Sequence, residues 1–157
     1  MNNHLREIGV PVFAYGREHF DIRNAEALAV AIEESRPSHV VYSIGVNYLD
    51  WLGDLDERHF NRIITVNVWG FVRTLQALRE AGCGPCSVVV ISSDAAIRPM
   101  RTSLAYCASK AALEMAMRVA SRELADEGWR INAVAPGKVE GTGMTDYVDI
   151  RVLALRD

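Results

Sequence analysis

A chain of 157 residues is, by size, one domain long enough to bury a core of its own. Half of it is hydrophobic and 24% is charged, the balance of an ordinary globular protein, and a net charge of -3 argues against nucleic acid or an anionic membrane surface as its main partner. No apolar run reaches the length of a membrane span, Met1-Asn2-Asn3-His4 is no secretory signal, and three cysteines imply no disulfide framework, so a cytoplasmic protein is expected.

Short β-branched runs alternate with amphipathic stretches along the chain. Val10 to Tyr15 reads as a strand. Asn24 is a candidate cap for a helix that carries Leu28, Ala29 and Ile32 on one face and stops before Pro37. Val40 to Ile44 is a second strand, a near-continuous apolar run of the kind buried on both faces. Asp56 then caps a long helix whose stripe of Phe60, Ile63, Ile64, Asn67, Phe71, Leu75 and Leu78 runs to Gly82. Ser87 to Ser93 is the third strand. Thr102 or Ser103 opens another long helix ending near Gly128, and Arg130 to Ala135 is the last strand, closed by Pro136-Gly137. Strands separated by helical crossovers predict an α/β protein with a mostly parallel sheet of about four strands and flanking helices. Ligands on such sheets sit beyond the carboxyl ends of the strands, here around Gly16-Arg17, Gly45-Val46-Asn47, Ser92-Ser93 and Pro136-Gly137.

Chemistry concentrates at Ser93, Tyr106 and Lys110. Tyr106 and Lys110 stand four apart on one helix and so share a face, and Ser93 ends the preceding strand at the ligand edge. A free tyrosine titrates near pH 10, and an ammonium beside it favours the phenolate. The trio thus suits Tyr106 as acid/base, Lys110 as its electrostatic tuner and Ser93 as hydrogen-bond donor to a substrate carbonyl. Lys110 and Lys138 are the only lysines, every other basic side chain being arginine. A lone Tyr-x-x-x-Lys spacing is as often an exposed helical pair as a site, so the surrounding strings carry the weight. Asn67 has an argument of its own: an amide within an apolar helical stripe must find partners or destabilise the fold.

Val90-Ile91-Ser92-Ser93, then Tyr106-Cys107-Ala108-Ser109-Lys110-Ala111-Ala112, then Asn132-Ala133-Val134-Ala135-Pro136-Gly137 closely resemble the short-chain dehydrogenase/reductase family from about Val10 to Thr142. The resemblance implies a Rossmann-like fold, and Ser93, Tyr106 and Lys110 as catalytic residues, with Lys110 also holding a nicotinamide ribose. It makes Asn67-Val68-Trp69-Gly70 the family's Asn-x-x-Gly, where the asparagine kinks its helix and helps to position a water near the lysine. Asp21-Ile22 resembles the adenine-contacting pair, and Gly45 falls where Asn-Ala-Gly approaches the cofactor, with Ser43 in place of the asparagine. Arg17, where a basic residue selects NADP over NAD, points to NADP. Pro136, Gly137 and Thr142 resemble the segment that reaches the carboxamide, Thr142 one residue later than the usual spacing.

Cys83-Gly84-Pro85-Cys86 has redox-motif spacing, but it follows a helix and feeds a strand, where no helix N-terminus lowers a thiol pKa. Histidine and cysteine spacing suggests no metal site. The family's first strand and its glycine-rich pyrophosphate loop have no counterpart here, and Leu5 to Gly9 resembles the end of the helix that follows that loop. Three readings follow. The chain is a single reductase or dehydrogenase domain, either shortened or completed by a partner, transferring hydride between NADP(H), or NAD(H), and a small carbonyl or secondary alcohol. Otherwise it is a catalytically inactive relative kept for binding, or a gene fragment that has lost cofactor binding. The two long helices, around Asn67 and Tyr106, commonly pack across a two-fold axis in this family, so a homo-oligomer is expected.

Overall fold

The computed structural model describes residues 2–139. In chain order these form α1 (Asn2–Glu7), α2 (Ala25–Ser35), β1 (His39–Tyr42), α3 (Glu57–Ile64), one π turn (Thr65–Trp69), α4 (Gly70–Glu80), β2 (Ser87–Ile91), α5 (Leu104–Glu123) and β3 (Arg130–Val134). The helix starts follow from their caps. The Asn24 side chain accepts from the amides of Glu26 and Ala27, and the Asp56 carboxylate accepts from the amide of Arg58. Gly82 and Gly128, both at positive φ, close the segments that follow α4 and α5.

The sheet is parallel in the order β1-β2-β3. Its register puts Val40 beside Val88 and Val88 beside Ile131, while Val41, Val89 and Asn132 line up on the other face. Val88, Val90 and Ile131 are buried in one cluster with Leu28 and Ile32 of α2, Phe71, Leu75 and Leu78 of α4, and Leu113 of α5. The opposite face is half open, with Val41 42% exposed, so β1 is not buried on both faces as its apolar run suggested, and β2 alternates between a buried and a half-buried face.

The expected first strand is absent. Val10 to Tyr15 runs as irregular chain, because a strand exists only by pairing and this stretch has no ladder partner. Its polar groups are taken up otherwise: the Val10 amide donates to the Leu5 carbonyl, the Val12 carbonyl accepts from the Arg6 guanidinium, and the Tyr15 hydroxyl donates to the Ala31 carbonyl of α2. Among the described residues three parallel strands therefore stand where about four were expected.

Candidate active site

Every strand ends on the same edge, and the predicted residues gather there. Lys110 lies one turn after Tyr106 on α5, and its Nζ sits 5.6 Å from the centroid of the Tyr106 ring. The ammonium is buried, 3% exposed, and donates to the carbonyl of Ile91 at 2.9 Å, which ties α5 to the end of β2 just before Ser92-Ser93. Burial pulls Lys110 from its ordinary 10.5 down to about 8, so at neutral pH it still carries its charge. Tyr106 is also buried.

Ser93 opens a short helical turn over Asp94–Ala96 that packs on α5. Its hydroxyl accepts from the Ala95 amide and donates to the Asp94 carboxylate, each at 3.2 Å. The amide of Asp94 donates to the carbonyl of Pro136, and a carboxylate oxygen of Asp94 lies 3.8 Å from where a Cβ on Gly137 would stand, so the Pro136-Gly137 segment flanks the serine.

Asn67 is fully buried in the π turn, and its amide meets the demand that burial imposes. Its Oδ1 accepts from the Val46 amide at 2.8 Å, and its Nδ2 donates to the Val46 carbonyl at 3.0 Å and to Ser109 Oγ at 2.9 Å. The Ser109 hydroxyl in turn donates to the Tyr106 carbonyl at 2.7 Å. One side chain thereby joins the loop after β1 to α5. A Cβ on Gly45 would stand 3.6 Å from Asn67 Oδ1 and 3.7 Å from Lys110 Nζ, so the bare backbone leaves that approach to the lysine open.

Beyond this centre lies a cleft of about 280 Å³, lined by Tyr15, Gly16, Arg17, Asp21, Ile22, Gly45, Val46 and Arg62 among others. Arg17 is exposed at its rim and Ile22 is buried in its wall. The Asp21 carboxylate is held bidentately by Arg23, which keeps its pKa well below the usual carboxylate range. Arg62 lines the cleft, and its Nε is buried with no hydrogen-bond partner among the described residues. These residues fit both ends of a nicotinamide dinucleotide: the cleft its adenosine, and Gly45 with Lys110 its nicotinamide ribose. No glycine-rich loop stands among the described residues to hold a pyrophosphate. Thr142 lies outside the described residues.

Sequence reasoning passed over two further links. Ser109 stood in the quoted motif without a role, and Glu114, one turn beyond Lys110, accepts from Ser92 Oγ at 2.9 Å while pairing with Arg118. The i, i+4 spacing of Lys110 and Glu114 was the available signal. The Cys-Gly-Pro-Cys segment is structural: Cys86 is 2% exposed, and burial pushes its thiol up to about 11. Among the described residues no cluster of His, Cys, Asp or Glu converges as a metal site would, and no helix is long and apolar enough to cross a membrane.

Residues 7–152 match the family model described as enoyl-(acyl carrier protein) reductase. The chain is 35% identical over 127 residues to the L-xylulose reductase of Caenorhabditis elegans, covering 78% of this chain and 49% of that protein. Among solved structures it is similar to a short-chain dehydrogenase from Burkholderia cenocepacia in complex with NADP, with a TM-score of 0.75, 24% identity, and coverage of 93% of this chain and 65% of that one; at this identity the likeness concerns the fold. An alcohol dehydrogenase from Thermococcus sibiricus complexed with 5-hydroxy-NADP gives a TM-score of 0.72 at 28% identity, covering 88% of this chain and 60% of that one. The chain spans about half the length of the nematode reductase and under two thirds of either solved chain. With the serine, tyrosine, lysine and asparagine on one sheet edge and the match running through nearly the whole sequence, the chain belongs to the short-chain dehydrogenase/reductase family.

Proposed function

We propose that this chain carries the catalytic centre of an oxidoreductase that transfers hydride between NADP(H) and a small carbonyl or secondary alcohol. The observation that carries the reading is the buried Lys110 ammonium beside the Tyr106 ring, a charge that the fold keeps out of water at evident cost. NADP(H), when bound, supplies or takes up the hydride. The Tyr106 hydroxyl gives its proton to the developing alkoxide, and in the reverse direction the phenolate takes it back. Lys110 stabilises that phenolate through the field of its ammonium. Ser93 exchanges its bond to Asp94 for one to the substrate oxygen. Asn67 holds the Val46 backbone and, through Ser109, the turn that carries Tyr106. Arg17, Asp21, Ile22, Gly45, Pro136, Gly137 and Thr142 are proposed as cofactor contacts, with Arg17 and Arg62 at the cleft favouring the additional phosphate of NADP. The three free cysteines suit a reducing compartment such as the cytoplasm.

The test is a fluorescence titration of the purified chain with NADPH and NADH. Saturable binding at roughly micromolar concentration, tighter for NADPH, is expected. A folded chain that binds neither would favour the interaction-protein reading, in which the helices remain and turnover is lost.

A homo-oligomer is also proposed. Leu104, Ala108, Ala111, Met115 and Val119 form an exposed apolar stripe along α5, and small residues let a partner helix approach closely. Sedimentation should find a dimer, and Ala111→Arg, in the middle of the stripe, should leave a folded monomer. A monomer before substitution refutes the assignment.

A further inference from the structure

We propose that Tyr42 is a positioning residue for Asn67, an inference that rests on reading Asn67 as part of the active site. The π turn sets the azimuth of Asn67: it adds one residue to a helical turn and so shifts helical phase by about 100°. Within it the Gly70 amide donates five residues back to the Thr65 carbonyl. The carbonyl of Val66, which an α-helical turn would pair with that amide, instead accepts the Tyr42 hydroxyl at 3.0 Å. Tyr42 is the last residue of β1 and 3% exposed, with its ring edge-on to Phe71 at 5.6 Å. Burial raises its pKa above the ordinary 10, so the group stays a neutral donor. Gly70 is what lets the hydroxyl in, since a Cβ there would meet Tyr42 Oη at 2.7 Å and Ile22 Cγ1 at 2.9 Å. A strand residue therefore donates to the carbonyl that loses the Gly70 amide in the irregular turn, one position before the asparagine whose amide joins Val46 to α5.

Tyr42→Phe removes only the hydroxyl. Nitrogen–proton correlation spectra of the folded variant should show the Val46 amide and the Asn67 side-chain amide displaced, with Val46 exchanging about tenfold faster. Turnover of diacetyl with NADPH should fall about tenfold in kcat, and the substitution should add nothing in an Asn67→Ala background. Undisturbed Val46 and Asn67 signals, or losses that add in the double variant, overturn the proposal. Should Tyr42→Phe fail to fold, the unsubstituted chain decides: the Tyr42 hydroxyl proton should be protected from exchange and lie close to Gly70, and a freely exchanging one refutes the link. Displaced signals in a chain with no turnover of its own would uphold the positioning role while ending the oxidoreductase reading.

Discussion

Tyr106→Phe should lower turnover by roughly 10²–10⁴-fold, the usual worth of a placed general acid/base, while leaving NADPH affinity within about twofold. Phenylalanine preserves the buried ring on α5, including the face that lies 5.6 Å from Lys110 Nζ, so packing and the lysine's surroundings are kept. What disappears is a hydroxyl able to give and take a proton beside a fixed ammonium. Steady-state kinetics with NADPH and a carbonyl panel, together with the binding titration, separate the two effects. Turnover retained in the variant would refute the mechanism, because neither Ser93, bonded to Asp94 and the Ala95 amide, nor Lys110, bonded to the Ile91 carbonyl, is placed as its substitute.

Lys110→Met should abolish most turnover and yet stabilise the fold at neutral pH. The folded pKa of about 8 lies below the ordinary 10.5 of an unfolded chain. Below pH 8 both states carry the charge, and the folded state bears the full penalty of burying it. Between pH 8 and 10.5 the unfolded state binds more protons, so stability rises with pH, and above 10.5 the penalty is gone. The fall in pKa corresponds to about 3 kcal/mol. The stability advantage of the methionine variant over the parent should therefore be about 3 kcal/mol larger at pH 7 than near pH ~11. Urea unfolding of both chains across that range checks it, the difference between them cancelling the other titrating groups. A difference that does not change with pH would mean that the ammonium is not desolvated. A buried charge that weakens the fold while serving the site is the exchange of stability for function common in enzymes.

Most of this site was legible in the sequence because its signals are local. Tyr106 and Lys110 share a helical face by spacing alone, and Asn24 and Asp56 announce their helices through a side chain that reaches amides two or three residues ahead. Asn67 declared itself by being polar in an apolar stripe. Tyr42 and Glu114 did not declare themselves: a buried strand tyrosine and a helical glutamate are ordinary residues until the chain brings the Val66 carbonyl to one and the Ser92 hydroxyl to the other.

By itself, then, the sequence determined the order of the helices, their caps and the β2 and β3 segments, and it supplied the Tyr106–Lys110 pair proposed as catalytic, since each depends on residues within a few positions of one another. Only the tertiary structure decided what depends on a distant partner. Val10 to Tyr15 has the composition of a strand but no neighbour to complete its hydrogen bonds, so it is irregular chain. The π turn at Asn67 exists in a helix whose apolar period runs straight through it, with a tyrosine 24 residues earlier taking the Val66 carbonyl. Propensity and periodicity act along the chain, whereas the pairing of buried polar groups acts across space, and the geometry around Lys110 is of the second kind.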